Sequence, residues 1–221
     1  MYWLKTFGRI FLKFLFRLWL AHLVYTIILI WLPVYTTPTI IAHAITGTKI
    51  KKTWKSLPNI SENLQKSVIA AEDQAFDDHF GFDLKAIERA IEYNKTHTNR
   101  KKGASTISQQ VAKNVFLWQR RDFLRKGLEA YCTFLIELLW SKDRILEVYL
   151  NVAEMGDGIY GAEAAAQIYF KKPASKLNLN EAALIAACLP NPLHFKPDEP
   201  SDYMISRKNW IVNQVNNINW E

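Results

Sequence analysis

The sequence predicts a mainly α-helical protein: one N-terminal membrane-spanning helix followed by one compact helical domain. Three observations lead there. From Leu18 to Thr48 there is no Asp, Glu, Lys or Arg. Beyond Pro58, apolar residues recur at three- and four-residue steps. Alternating apolar and polar runs, internal repeats and low-complexity tracts do not occur.

The composition agrees. Over 221 residues, 49% apolar and 22% charged side chains exclude a disordered chain. The net charge of +7 suggests a nucleic-acid binder, but its distribution does not. Residues 1–61 hold eight basic residues (Lys5, Arg9, Lys13, Arg17, Lys49, Lys51, Lys52, Lys55) and no acid. The remaining chain is close to neutral, so nucleic acid is not an expected partner.

Taken in order, residues 1–13 read as a basic cytoplasmic tail and 14–35 as the transmembrane anchor. The run Leu18–Leu32, extended by its apolar flanks, gives about 20 residues, enough to cross a hydrocarbon core. The basic residues before it set the N-terminus inside. Tyr2 and Trp3 suit one interface, Trp31 and Tyr35 the other. A cleaved signal ending at Ala42-His43-Ala44 is the alternative, but that site lies ten residues beyond Leu32. Residues 36–57 read as a linker and 58–221 as the domain.

Within the domain, Leu64, Val68, Glu72 and Phe76 form one helical stripe. Residues 84–93 repeat the helical period, and 94–106 are polar and basic, a loop by composition. Ser105–Phe116, Phe123–Trp140 and Ile145–Leu150 are helical, and the Gly156-Asp157-Gly158 turn ends the last. The Ala-rich stretch 161–169 allows close helix packing. Asn178 and Glu181 form a capping-box pattern before another helix, which Pro190 and Pro192 close. Cys132 and Cys188 fall in apolar helices and read as two buried thiols; an oxidising compartment would also permit a disulfide. The five histidines have no metal-ligand spacing.

Three features carry chemistry. Glu72 is a carboxylate on an apolar stripe, where desolvation raises the pKa and suits proton transfer; a helix-edge ion pair is the other reading. Glu129 lies at i+4 from Arg125 and i+3 from Lys126, as an ion pair requires. Residues 95–126 hold nine basic residues (Lys95, Arg100, Lys101, Lys102, Lys113, Arg120, Arg121, Arg125, Lys126) against Asp122 alone. Bulky apolar residues from Val115 to Leu124 interleave with them, which suits lipid headgroups or a phosphorylated amphiphile.

Four motifs then resemble one family. Glu72-Asp73-Gln74-Ala75-Phe76-Asp77-Asp78-His79-Phe80-Gly81 is similar to the first signature of the peptidoglycan glycosyltransferases, E-D-x-x-F-x-x-H-x-G. Residues 103–114 match G-x-S-T-x-x-Q-Q-x-x-K-N, residues 125–129 match R-K-x-x-E, and residues 142–151 match K-x-x-I-L-E-x-Y-L-N. The chain has no Ser-x-x-Lys, the nucleophile motif of the family's transpeptidase domain. It therefore resembles the monofunctional, membrane-anchored members of glycosyltransferase family 51 in Gram-negative bacteria.

That resemblance implies a lysozyme-like α-helical glycosyltransferase domain over 58–221. It implies polymerisation of lipid II by inversion, with release of undecaprenyl pyrophosphate and no transpeptidase activity. Glu72 is then the general base. Glu129 orients the cations or a bound divalent ion (Mg or Mn), a metal the sequence leaves undetermined. Lys113, Arg125 and Lys126 meet the pyrophosphate. Ser105, Thr106, Gln109, Gln110 and Asn114 shape the sugar and phosphate subsites. Glu147 and Asn151 are assigned mainly to structure. The implied partners are lipid II, the nascent lipid-linked glycan, the inner membrane and cell-wall synthesis or division proteins, with the domain periplasmic. A lytic transglycosylase of similar fold and a membrane-anchored scaffold stay open as alternatives.

Overall fold

A computed structural model describes residues 2–97, 101–120, 122–218 and 220, with residues 2–5 by backbone only. The side chains of Tyr2, Trp3 and Lys5, and the expected cluster members Arg100 and Arg121, lie outside the described residues. The chain divides into two units, Met1–Pro33 and Val34–Glu221.

The first unit is one helix, α1 (Tyr2–Ile28). Its stretch Thr6–Ile28 is long and apolar enough to cross a membrane. Phe11, Leu12, Phe14, Leu15, Phe16, Leu18, Trp19 and Leu20 are all exposed, so no protein core claims them. The helix begins before the expected span of 14–35 and stops seven residues short of its end. Arg9 and Lys13 are good helix formers and do not interrupt α1, so the helix starts earlier than hydropathy alone suggests. It stops at Ile28, where Ile30 N–H turns back to Ile27 O at 3.0 Å. Pro33 then disfavours helix at the residue before it. Trp31 and Tyr35 thus lie beyond the helix.

The second unit begins at Val34, two residues before the expected linker, and that linker is itself structured. Thr37 caps α2 (Pro38–Ile45) by accepting from Ile40 N–H at 3.3 Å, and Pro38 stands at its first position. Lys51–Lys52 form β1, which pairs in parallel with β3 (Ile159–Tyr160); β2 (Glu154–Gly156) pairs antiparallel on the other side of β3. Two-residue strands with a partner a hundred residues away leave no period in the sequence. The join is reinforced by α7 (Lys142–Val152). Asn151 bonds both the N–H and the C=O of Lys55 at 2.8 Å, and Glu147 accepts from Leu57 N–H at 2.7 Å. This is the structural role expected of both residues.

The remaining helices are α3 (Glu62–Glu72), α4 (Leu84–Thr96), α5 (Ile107–Phe116), α6 (Phe123–Leu139), α8 (Ala162–Phe170), α9 (Leu179–Cys188) and α10 (Asp202–Asn217). Two packing groups form: α9 lies against α3 and α10, and α5 lies against α6 and α7. Leu64, Val68 and Phe76 of the predicted stripe are buried, with Ile107, Ile136, Ile145 and Ile185 among their fully buried companions. Each such side chain contributes about 1.5–3 kcal/mol relative to exposure. The Asn178–Glu181 capping box opens α9 as expected. Cys132 and Cys188 are buried free thiols; burial pushes each up to about 12, which makes them inert. Gly161 has φ +84°, and a Cβ there would lie 2.8 Å from Asn151 O, so only glycine lets β3 turn into α8 against α7.

Candidate active site

The first two motifs meet at the start of α5. Thr106 is its N-cap: the hydroxyl accepts from Gln109 N–H at 3.2 Å, and Gln109 Oε1 accepts from Thr106 N–H at 3.1 Å. This capping box satisfies otherwise orphaned donors. Thr106 also donates to Gly81 O at 2.7 Å. Gly81 has φ +75°, and a Cβ there would meet Thr133 Cγ2 at 2.7 Å, which explains the glycine that ends the first motif. Asp73 accepts from Ile107 N–H at 3.0 Å and from His79 Nε2 at 2.9 Å. Burial raises the Asp73 carboxyl despite these bonds. Beneath, Glu137 accepts from Ser108 and, at 2.8 Å, from Lys142, whose ammonium also reaches His79 O at 2.7 Å. Asp73, His79, Glu137 and Lys142 were missed as a network; the first and fourth motifs contain three of them, but nothing local pairs them.

Thr106 and Gln109 were expected to shape substrate subsites. Both are buried and committed to the cap, so they build the start of α5. Ser105, just before the cap, is exposed.

Glu72 is the last residue of α3 and is half-buried. Gln110 Nε2 donates to its Oε2 at 2.8 Å, and the Tyr149 hydroxyl lies 3.3 Å from Gln110 Oε1. Burial raises the Glu72 carboxyl above its ordinary value, against the pull of Gln110, Arg207 and Lys113. Gln110 and Tyr149 also line a cleft of about 260 Å3, together with Lys113, Asn114, His43 and Glu154. A carboxylate with a raised pKa thus stands one hydrogen bond from a polar cleft carrying a cation.

The far wall of the cleft holds residues the sequence did not reveal. His43 Nδ1 lies 2.9 Å from the Tyr160 hydroxyl and 3.4 Å from Glu154 Oε1. Burial raises the Glu154 carboxyl. These side chains come from α2, β3 and β2, whose pairing has no local signal.

The three expected cations separate. Lys113 and Asn114 line the cleft, whereas Arg125, Lys126 and Glu129 do not. On α6 both Glu129 oxygens are taken, one by Arg125 and one by Lys126. Arg125 and Glu129 are buried, at 7% and 3% exposure, and Arg125 Nε has no partner among the described residues. Asp122 caps α6 by accepting from Arg125 N–H at 2.8 Å. Glu129 therefore orients two cations. Among the described residues no group of three or more His, Cys, Asp or Glu is placed to hold a metal ion.

The interleaved stretch Val115–Leu124 does not form one continuous surface. Val115 and Leu117 are core residues, and only Trp118, Phe123 and Leu124 are exposed apolar groups. Helix α5 turns its apolar face onto α6 and α7, which composition could not show.

Fold and cleft together set a half-buried carboxylate beside a polar cleft in a helical domain. A sequence model described as Transglycosylase matches residues 39–216, and the chain belongs to the transglycosylase family, a family of glycosyltransferases. The match takes in α2 and β1, within the stretch first read as linker. Three curated relatives illustrate the likeness, each named biosynthetic peptidoglycan transglycosylase. The Haemophilus influenzae protein is 47% identical over 223 residues, covering 100% of this chain and 91% of its own. The Bdellovibrio bacteriovorus protein is 53% identical over 191 residues, covering 84% and 76%. The Salmonella agona protein is 58% identical over 168 residues, covering 76% and 69%.

Proposed function

We propose that this protein is a peptidoglycan transglycosylase that polymerises lipid II into β-1,4-linked glycan, with inversion and release of undecaprenyl pyrophosphate. The observation that carries the reading is Glu72: a first-motif carboxylate with a raised pKa, bonded to a residue of the cleft wall.

The acceptor's 4-hydroxyl is a weak nucleophile at neutral pH. Glu72 takes its proton as the oxygen attacks C1 of the donor sugar. The C1–oxygen bond to the pyrophosphate breaks on the opposite face, and its electron pair leaves with the lipid pyrophosphate. Inversion follows from this single displacement. The growing negative charge needs preorganised cations. Lys113 supplies one in the cleft. Arg125 and Lys126 supply two more, held in orientation by Glu129. Ser105, Gln110 and Asn114 are proposed to contact sugar or phosphate groups. No transpeptidase step is assigned to this chain.

The proposed setting is the bacterial inner membrane, with α1 as a single-pass anchor, the N-terminus cytoplasmic and the domain periplasmic. Support comes from the length of α1 and from Arg9, Lys13 and Arg17 toward its N-terminal side. Anchoring restricts the search for a lipid-linked substrate to the membrane plane. Lipid II, the nascent lipid-linked glycan and cell-wall synthesis or division proteins are the proposed partners.

The test is lipid II in and polymer out, with wild type and Glu72→Gln, folding checked by circular dichroism. Polymer from folded Glu72→Gln would sink the base assignment. Incubation with purified sacculi checks the reaction class; anhydro-muropeptide release would show glycan cleavage instead. Arg125→Ala should weaken binding of a lipid-pyrophosphate analogue far more than Lys172→Ala, since Lys172 lies outside the 95–126 cluster, paired with Glu181 at 2.7 Å. Equal losses would refute a localised pyrophosphate site.

A further inference from the structure

The fourth motif contains a tyrosine to which the chemistry above gives no part. Tyr149 lies on α7 and is 1% exposed. Its hydroxyl stands 3.3 Å from Gln110 Oε1, and Gln110 Nε2 donates to Glu72 Oε2 at 2.8 Å. The two contacts fix the sense of the amide. Only an N–H can face a carboxylate, so the amide carbonyl faces the phenol, which donates to it. Burial holds the phenol far above its ordinary range, so this donor stays protonated.

Resting on the reading of Glu72 as the base, we infer that Tyr149 is a positioning residue: by holding the Gln110 carbonyl, it aims the amide N–H at Glu72 Oε2 and leaves Oε1 to take the acceptor's proton. Without the phenol, the terminal torsion of Gln110 has two broad wells. One of them turns the amide oxygen toward the carboxylate and removes the bond.

The other groups that act on Glu72 come from every neighbouring element. Asp73 follows it in the chain, Lys113 projects from α5 and Arg207 from α10. The Cys188 thiol of α9 is pushed up to about 12 and stays neutral. None of these holds the amide of Gln110; Arg207 instead donates to Ala71 O at 3.0 Å. Tyr149 acts through Gln110, so its removal must show in the titration of Glu72. Glu72 works as a base only when ionised. The acid limb of kcat reports that ionisation, and losing a bond to the charged form moves the limb to higher pH.

The experiment measures lipid II polymerisation across pH for Tyr149→Phe, Gln110→Ala, the double variant and Glu72→Gln, with thermal unfolding of each. Tyr149→Phe is expected to lower kcat about threefold to tenfold, the worth of one hydrogen bond. The loss in kcat should exceed any change in KM, since the phenol itself is buried. The acid limb should move up in both single variants, and the double variant should match Gln110→Ala. An acid limb at its wild-type pH in Tyr149→Phe overturns the inference. So does a Tyr149→Phe loss that persists undiminished in the Gln110→Ala background, since that marks a packing effect. Should Tyr149→Phe not fold, Gln110→Ala decides alone: an unmoved limb there removes the relay. Activity in Glu72→Gln would instead overturn the reading of the base. An inactive Glu72→Gln beside an unmoved Tyr149→Phe limb overturns the relay only.

Discussion

Glu72 and Glu129 are the same residue type, both come from family-like motifs, and both are withdrawn from water. Their partners differ. Glu72 meets a neutral amide on one oxygen, and burial raises its carboxyl. Glu129 meets Arg125 on one oxygen and Lys126 on the other. A carboxylate bonded to an uncharged donor keeps the capacity to take a proton. A carboxylate with a cation on each oxygen is an anchor for positive charge. The environment separates the two, and under the proposed function proton acceptance and leaving-group stabilisation fall to different glutamates.

The largest expected effect tests the first half of this contrast. Glu72→Gln should lower polymerisation by about 10²–10⁴-fold, the usual worth of a general base, while the fold persists. A loss under about tenfold would break the contrast. Next is the anchor. Glu129→Ala leaves Arg125 buried without its carboxylate, and should cost about 3–5 kcal/mol in urea unfolding of the detergent-solubilised protein. If Glu129→Ala and Glu72→Ala prove equally stable, the two glutamates do not differ as claimed.

The pH dependence sharpens the same point. The raised carboxyl of Glu72 places the acid limb of wild-type kcat above the ordinary glutamate value of 4.5. For stability, the folded state binds this proton more readily than the unfolded chain. The ionised group therefore costs stability at neutral pH, and the cost is relieved as pH falls through the folded pKa. Glu72→Gln should thus raise Tm at neutral pH, by an amount that shrinks toward pH 4, as scanning calorimetry would record. A gain that grows on acidification contradicts the assignment.

Smaller effects check the scaffold around each glutamate. Thr106→Ala removes the cap of the helix that delivers Gln110 to Glu72, at a cost of about 1 kcal/mol. Phe123→Ser, on α6 two residues before Arg125 and 98% exposed, should change stability by less than about 0.5 kcal/mol. A larger loss there would mean that α6 is held by more than its buried face and ion pair.

Much of the site was legible. Glu72 stood out because a carboxylate interrupted an apolar stripe, and Glu129 because Arg125 and Lys126 preceded it at helical offsets. The spacing of three between Thr106 and Gln109 is itself a capping-box signal, and both residues build that cap. Glu147 and Asn151 were read as structural and hold the chain before α3 in place. His43, Glu154 and Tyr160 could not be found, since each is unremarkable in its own segment and they meet only in the sheet.

By itself the sequence determined what depends on neighbours within a turn or two. That includes the helical class, the apolar N-terminal helix, the caps of α5 and α9, and the Glu129 ion pairs. Hydropathy period, cap chemistry and i+3 or i+4 geometry act over that range and need no tertiary partner. The tertiary structure decided the rest. It joined Glu72 to Gln110 across 38 residues, Gln110 to Tyr149 across 39 and Lys55 to Asn151 across 96. It also brought Lys113 to the cleft and left Arg125 outside it. Contacts of that span require loop closure and the burial of a shared core, whose free energy belongs to the whole packed domain and to no segment of it.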